Sequence, residues 1–431
     1  MRFEDLLLFY FGDTLDIDAL LKPYKRFGVH LGLERIQDLL AALGNPHHQV
    51  PIIHVAGSNG KGSVCAYLSS IFTAAGYRVG RYTSPHLLDW TERICLNEKQ
   101  IEATRLQQLL EQIGVAIDAK TESVTQFEVI TAAAWLYFAQ EKVDLAVIEV
   151  GLGGRLDATN VCDRPLVSII TSLSREHWQR LGPTLADIAR EKAGILKSNC
   201  PAVIGQLPSA AQEVVAARVT ELNCPTVWVE PAQELKHQEQ RWAVYEGIEY
   251  PLAMLGEVQL LNSALALAAV QILQQQGWDI SISAIQQGMA KSCWQGRLQW
   301  TTWGNQQLLI DGAHNSAAAQ ALRQYVDTLP QPVTWVMGML STKDHREVFQ
   351  ALLRSNDQLY LAPVPEHSSA VPADLAILAQ QVCPHLAVCD ACDELFEALE
   401  LAFQSNHNRQ VILCGSLYLL GYFLENCSKE N

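Results

Sequence analysis

The stretch VPIIHVAGSNGKGSVCAYLSSIFTAAG, residues 50–76, decides how the chain folds. Residues 50–56 are an apolar run rich in β-branched side chains and read as a buried strand. Residues 57–63, GSNGKGS, are a glycine-rich turn, and apolar residues at helical spacing then run to a stop at Gly76. Strand, turn and helix form a phosphate cradle, because N–H groups in a helix's first turn lack partners within the helix and face an anion. The glycines admit close approach, so Asn59, Gly60, Lys61 and Gly62 present backbone amides. The Lys61 side chain reaches terminal phosphates, and the Ser63 hydroxyl suits Mg²⁺. The spacing departs from the common phosphate loop: two residues separate Gly57 from Gly60, and Gly62 stands between Lys61 and Ser63. An ordinary tight turn is the plain alternative.

Upstream, residues 1–49 read as helical with a loop at 25–35, where Gly28, Gly32 and Arg35 suit either a substrate rim or a helix cap. Downstream, a short strand at 78–82 ends in Thr83-Ser84-Pro85-His86. Hydroxyl residues at that end of a parallel strand face ligands, and Ser84 is a candidate against the plainer role of helix cap. Residues 100–123 read as a surface helix with a polar loop. A long helix follows at 127–140, and Thr125 with Glu128 three residues on makes a capping box. The strand at 143–150 ends on Glu149. An acid at the tip of an apolar strand must be paired or bind a cation, and Mg²⁺ is the ready explanation beside a phosphate loop. The glycines of GLGGRLDATN (151–160) bring backbone near a ligand that Arg155 and Asp157 can bind.

Another strand at 166–171 leads to His177, as readily structural as a ligand. A helix at 185–196 carries Lys192, a strand and helix follow at 200–206 and 209–222, and short strands hold Trp228, Trp242 and Tyr250. Asn262 lies in a long helix at 257–276. After a junction at 294–297, strands near 307–311, 333–338, 358–362, 386–389 and 410–414 alternate with helices at 316–328, 345–354, 373–381 and 393–405. This is the spacing of a second doubly wound, mostly parallel domain. The fold class is therefore α/β: a P-loop-containing doubly wound N-terminal domain (1–293) and a smaller Rossmann-like C-terminal domain (294–431).

Composition bounds the function. A chain of 431 residues with 49% hydrophobic content supports two cores. A net charge of -15 argues against a nucleic-acid partner but not against a bound nucleotide. Residues 1–20 carry five acids and do not read as a secretory signal, no stretch is long enough to span a bilayer, and eleven scattered cysteines fit reduced thiols. A cytoplasmic protein with no membrane partner is expected. Cys389 and Cys392 form the single C-x-x-C, without the second pair a zinc site needs.

The ordered set HVAGSNGKGS, YTSPHL, TQFE, EVGLGGRLDATN, EKAGILK, WQGR, DGAHN and CGSLY resembles the folylpolyglutamate synthase/dihydrofolate synthase family of the Mur ligase superfamily, from about residue 30 to 418. EVGLGGRLDATN beside this loop variant is specific to the folate branch. The resemblance implies an ATP-dependent ligase that phosphorylates a folate or dihydropteroate carboxylate. L-glutamate attacks the acyl phosphate, giving an amide, ADP and phosphate.

It also implies roles, position by position. Metal ligands fall on Ser84, Glu149 and His177 with Ser63 nearby, for two Mg²⁺ ions, with a monovalent cation as a further candidate. Lys192 matches a lysine carboxylated by CO₂, whose carbamate supplies an oxygen ligand. Asn262, Arg297 and Asp311 match ATP contacts; the last two lie beyond the junction, so the nucleotide is expected between the domains, which close over it. Gly32, Leu33, Glu34, Arg35, Thr125, Gln126, Phe127, Glu128 and Arg155 match pterin-substrate positions, and His314 is expected to position the acyl phosphate or glutamate. The family suggests a monomer.

Three departures stand out. Glu176 replaces the usual Asp before His177, with Ser174-Arg175 ahead of it; Ser58 replaces Thr; and PVPEHSSAV (363–371) lacks an arginine that often follows a proline there. Two other readings remain. A peptidoglycan-type ligase needs a sugar-nucleotide domain ahead of the loop, where about fifty residues stand. A non-catalytic nucleotide binder should lack Lys61, Glu149 or His177, and all three are present.

Overall fold

Glycine turns and β-branched runs place eight strands in one sheet. The structure, a computed structural model, describes residues 16–24, 32–117, 124–235, 240–329, 332–404 and 409–427. The strands are β1 (Ile52–Ala56), β2 (Val79–Tyr82), β3 (Ile94–Leu96), β4 (Lys99–Gln100), β5 (Leu145–Glu149), β6 (Val167–Ile170), β7 (Ala202–Ile204) and β8 (Thr226–Trp228). Their order is β4-β3-β2-β5-β1-β6-β7-β8. From β2 to β8 every pair is parallel, and β3 and β4 close one edge in antiparallel fashion. The chain leaves β1 toward β2 on one side and later returns to β6 on the other. This makes the carboxyl end of β1 a switch point, where doubly wound sheets bind ligands.

Burial explains the strands' composition. β1, β2, β5, β6 and β7 are buried at every position, as a sheet covered on both faces requires. The helix Gln126–Gln140, with Trp135 and Phe138 in the core, covers one region, and the helix Lys61–Ala74 carries Phe72 and Tyr67 into another. The latter begins at Lys61, ahead of the expected 64, because Gly60 takes a left-handed φ of 85° and caps it. β9 (Gln233–Leu235), β10 (Trp242–Tyr245) and β11 (Ile248–Pro251) form a separate antiparallel sheet. Trp228, expected in a short strand, ends β8, the short edge strand of the large sheet.

The second sheet comprises β12 (Gln299–Trp303), β13 (Gln306–Asp311), β14 (Val333–Met337), β15 (Gln358–Leu361), β16 (Val388–Ala391) and β17 (Gln410–Cys414). Its order is β12-β13-β17-β14-β15-β16, parallel except for β12. Trp335, Phe349 and Leu359 fill its core. Buried Asp357 accepts from Arg323 Nη1 at 2.7 Å, Trp335 Nε1 at 3.0 Å and Arg354 N at 3.0 Å, so its charge is matched.

The chain divides into a unit of Met1–Ala253 with Leu260–Ser292, and a unit of Met254–Gln259 with Cys293–Asn431. The short segment 254–259 therefore belongs with the later residues: Leu255 packs on the second core, and a Cβ on Gly256 would lie 2.6 Å from Leu298 Cδ1. Sequence reading had no element at Ile94–Leu96, Lys99–Gln100, Ile282–Lys291, Gln299–Trp303 or Leu417–Cys427.

Candidate active site

The phosphate-loop conformation is enforced by its neighbours. Gly57 has φ 151°, and a Cβ there would lie 1.9 Å from Thr171 Oγ1; at Gly60 it would lie 2.4 Å from Asn262 Oδ1. Both positions exclude a side chain. Thr171 Oγ1 donates to Asn59 O at 2.6 Å, and Ser58 Oγ accepts from Ser174 N at 2.9 Å, which anchors the loop to the segment after β6. The hydroxyl at Ser58 thus has a defined structural use. Asn262, expected among the ATP contacts, packs directly on the loop through Gly60.

Lys61 Nζ donates to Gly57 O at 3.1 Å and Ser58 O at 3.4 Å, and lies 3.9 Å from Glu149 Oε1. Glu149, 4% exposed at the end of β5, accepts from Ser84 N at 3.3 Å. Ser63 is buried in the first turn of the helix, and Ser84 precedes a cis proline. Lys192, 2% exposed, donates to Gly57 O at 2.7 Å and to Glu176 Oε1 at 3.0 Å. Burial lowers the Lys192 ammonium below its ordinary value, with Glu176 opposing the shift. Burial would raise Glu176, but Lys192, Lys61 and His177 outweigh it and hold the carboxyl at about 2. Lys192 thus touches the loop at Gly57, Glu149 faces Lys61, and Glu176 reaches the loop through Lys192. His177 itself is exposed, with φ 48°, and caps the short helix Trp178–Leu181.

The expected ligands Ser63, Ser84 and Glu149 offer oxygens, and His177 an imidazole. This set suits a hard cation that keeps part of its shell for water and phosphate oxygens. Among the described residues no group of three or more His, Cys, Asp or Glu is placed to hold a metal.

The expected substrate positions divide into two kinds. Arg35 Nε donates to Glu128 Oε1 at 3.0 Å and Oε2 at 3.3 Å. Glu128 Oε2 also accepts from Thr125 N at 2.7 Å, and Thr125 Oγ1 accepts from Glu128 N at 3.2 Å. The capping box is therefore formed, and Thr125, Glu128 and Arg35 have structural partners. Gln126 Nε2 donates to Leu21 O at 3.1 Å. Phe127 packs its ring tip against the loop after β5, since a Cβ on Gly151 would fall 2.4 Å from its Cζ. Gly32 and Leu33 precede the helix Glu34–Ala42, which opens on Glu34; residues 25–31, including Gly28, lie outside the described residues.

Arg155 is exposed and pairs with Glu191 at 2.8 Å. Asp157 corrects the expectation of a ligand-binding acid. Its oxygens accept from Leu152 N at 2.8 Å, Thr159 N at 3.0 Å and Thr159 Oγ1 at 2.6 Å, so it ties the glycine loop together. Burial raises its carboxyl above the ordinary value, and those hydrogen bonds oppose the rise.

In the second unit, Asp311 ends β13 and accepts from Leu298 N and Ala313 N, each at 2.8 Å. Burial raises its carboxyl, with Arg297 the first opposing charge. Arg297 lies along Gly312, where a Cβ would meet its Nη1 at 2.3 Å. His314 Nδ1 lies 2.8 Å from Gly312 O, and Asn315 caps the helix Ser316–Val326 by accepting from Ala318 N at 2.9 Å. Arg297, Asp311 and His314 are thus gathered at one strand end. Glu176 and Thr171 were not named as site residues by sequence reading. The signal for Glu176 was its place between a strand end and His177; Thr171 carried none.

Comparison with known proteins follows the same division. Residues 55–270 match the Mur ligase middle domain, and residues 297–426 match the dihydrofolate synthetase C-terminal domain. Dihydrofolate synthetase of Saccharomyces cerevisiae is 33% identical over 419 residues, covering 92% of this chain and 97% of its own. Dihydrofolate synthase/folylpolyglutamate synthase of Escherichia coli is 34% identical over 415 residues, covering 92% and 91%. The structure of Escherichia coli FolC in complex with DHPP and ADP superposes with a TM-score of 0.83 at 29% identity, covering 96% of this chain and 97% of that one.

Proposed function

This chain belongs to the dihydrofolate synthase/folylpolyglutamate synthase family of the Mur ligase superfamily, and from that premise we propose which of its residues perform ATP-dependent addition of L-glutamate to dihydropteroate and to reduced folates. The observation that carries the reading is the arrangement around Gly57: Lys61 and Lys192 on its carbonyl, Glu149 3.9 Å from Lys61 Nζ, and Glu176 on Lys192. Phosphoryl transfer asks for positioning and charge neutralisation rather than covalent chemistry. The amides of residues 59–62 and the Lys61 ammonium bind the phosphates, and Lys61 stabilises charge as the γ-phosphoryl moves to the acceptor carboxylate.

Mg²⁺, held by Ser63, Ser84, Glu149 and His177, would neutralise phosphate charge. A carbamate on Lys192 would replace its ion pair with two neighbouring anions, Glu176 and itself, and so needs a cation beside it; an intact-mass increment of one CO₂ on the native chain tests for it. Asn262 holds the loop at Gly60. Arg297 and Asp311 are assigned to ATP, His314 to the acyl phosphate or the incoming glutamate. Gly32, Leu33, Glu34, Arg35, residues 125–128 and Arg155 are assigned to the pterin acceptor, with Phe127 offering an apolar ring. A monomer acting in the cytoplasm is part of the same reading. Among the described residues no helix is long and apolar enough to cross a membrane.

The test is phosphate release by the purified chain with Mg-ATP and L-glutamate, offered dihydropteroate or tetrahydrofolate separately. Release with both establishes both synthase activities. Release with one alone makes the enzyme monofunctional for that acceptor, and release with neither overturns the acceptor assignment.

A further inference from the structure

The chain enters two neighbouring strands through the same tripeptide: Asn199-Cys200-Pro201 leads into β7 and Asn223-Cys224-Pro225 into β8. Both asparagines adopt the left-handed conformation, with φ 59° and 51°. Each cysteine precedes a proline, which holds it extended. β7 and β8 pair in parallel with Ala202 opposite Thr226. Backbone bonds from Asn199 N to Leu222 O at 2.9 Å and from Ala202 N to Pro225 O at 2.8 Å bracket the two cysteines.

Cys200 and Cys224 each stand two residues ahead of a paired position, so they face one another on the same side of the sheet. Adjacent strands run about 4.7–4.9 Å apart, within the Cα separation of about 4.4–6.8 Å that a disulfide spans. One carbonyl ties both residues: Lys197 O accepts from Cys224 Sγ at 3.3 Å and from Cys200 N at 3.1 Å. Both thiols are free and 8% exposed. Burial raises both above the ordinary value, and charge on Cys200 adds to the rise at Cys224. The nearby Arg164 and Lys197 favour the Cys200 thiolate.

We propose that Cys200 and Cys224 are a redox pair that closes to a disulfide when a low-molecular-weight disulfide is the oxidant, stapling edge strand β8 to β7. The Cys200 thiolate attacks one sulfur of the oxidant and expels one thiolate. Cys224, after losing its proton, attacks the Cys200 sulfur of the mixed disulfide and expels the second. One S–S bond is formed in the protein and one is broken in the oxidant, and the two protons end on the two small thiols. The staple would act where the sheet is open: β8 is the last strand, with Val227 37% and Trp228 40% exposed.

The experiment incubates the reduced full-length chain with oxidised glutathione under native conditions, alkylates the remaining thiols and maps the peptides by mass. The expected result is a cross-linked peptide pair joining Cys200 to Cys224, with a melting temperature several degrees above that of the reduced chain. Dithiothreitol should reverse both. In C200S and C224S the melting shift is lost, while phosphate release by the reduced variants is unchanged. Full alkylation of both cysteines in the oxidised, still folded chain overturns the proposal. So does stable glutathione on either cysteine, or a bond from either to any other cysteine of the chain. The wild-type map decides the matter even where a variant folds poorly.

Discussion

Gly57 and Gly60 are glycines because other side chains already occupy the space beside them. At Gly60 the backbone is left-handed and Asn262 Oδ1 lies 2.4 Å from where a Cβ would be. Gly60→Ala should therefore move the amides by tenths of an ångström to about 1 Å and lower phosphate release by roughly 100-fold. Circular dichroism should remain that of a folded chain, and loss of both readouts together would assign Gly60 to folding alone. The glycines themselves were legible in the sequence, because a turn of this composition has few other uses. Their reasons were not, since Asn262 and Thr171 come from segments far along the chain. Glu128 shows the same limit: its spacing from Thr125 announced a cap, but nothing local announced the ion pair with Arg35, 93 residues away.

Two features belong to the scale of elements. The helix Ile282–Lys291, absent from the sequence reading, packs against the phosphate-loop helix so closely that a Cβ on Gly288 would lie 2.4 Å from Ile71 Cα. Ser70 Oγ donates to Gly288 O at 2.8 Å. Backbone rather than a flexible side chain must give way, so Gly288→Val should cost about 1–3 kcal/mol. It should also raise the KM for ATP through the displaced helix, which denaturant melts and initial rates can measure together.

The second feature is buried histidine. Burial, then Lys197, lowers His54 in β1 to about 3, and burial, then His48, lowers His47 to about 4. Both folded-state values lie below the unfolded value, so the unfolded chain binds more protons as pH falls. Their contribution is intact above about pH 6.5 and is lost as pH drops through 6.5 toward about 4 for His47 and about 3 for His54, at up to about 1.4 kcal/mol per pH unit for each histidine. Urea melts between pH 7.5 and 5 measure that slope, and a flat profile would contradict it. His54 Nε2 lies 2.9 Å from Thr159 Oγ1, so His54→Asn should flatten part of it.

For the whole molecule, Lys61 and Arg297 belong to different units, and turnover is proposed to need both. Arg297→Ala should reduce ATP-dependent phosphate release by about 10–100-fold, the range expected when one charge-assisted contact to a phosphate is removed. The melting profile should stay unchanged, and unaltered turnover would remove Arg297 from the site. The sequence by itself determined the order of strand, loop and helix, the phosphate loop, the acid at the tip of β5 and the family, because these depend on local periodicity and on residues within a turn of one another. It missed the antiparallel strands β3 and β4, too short at three and two residues to show a period, and β12, whose mostly half-buried residues lack a clean alternation. Only the tertiary structure decided what lies against what: Asn262 on Gly60, Lys192 between Gly57 and Glu176, Asp157 turned inward to its own loop, and Cys200 level with Cys224. The physical reason is that such contacts follow from burying faces of distant segments together, and no periodicity within either segment encodes the partner.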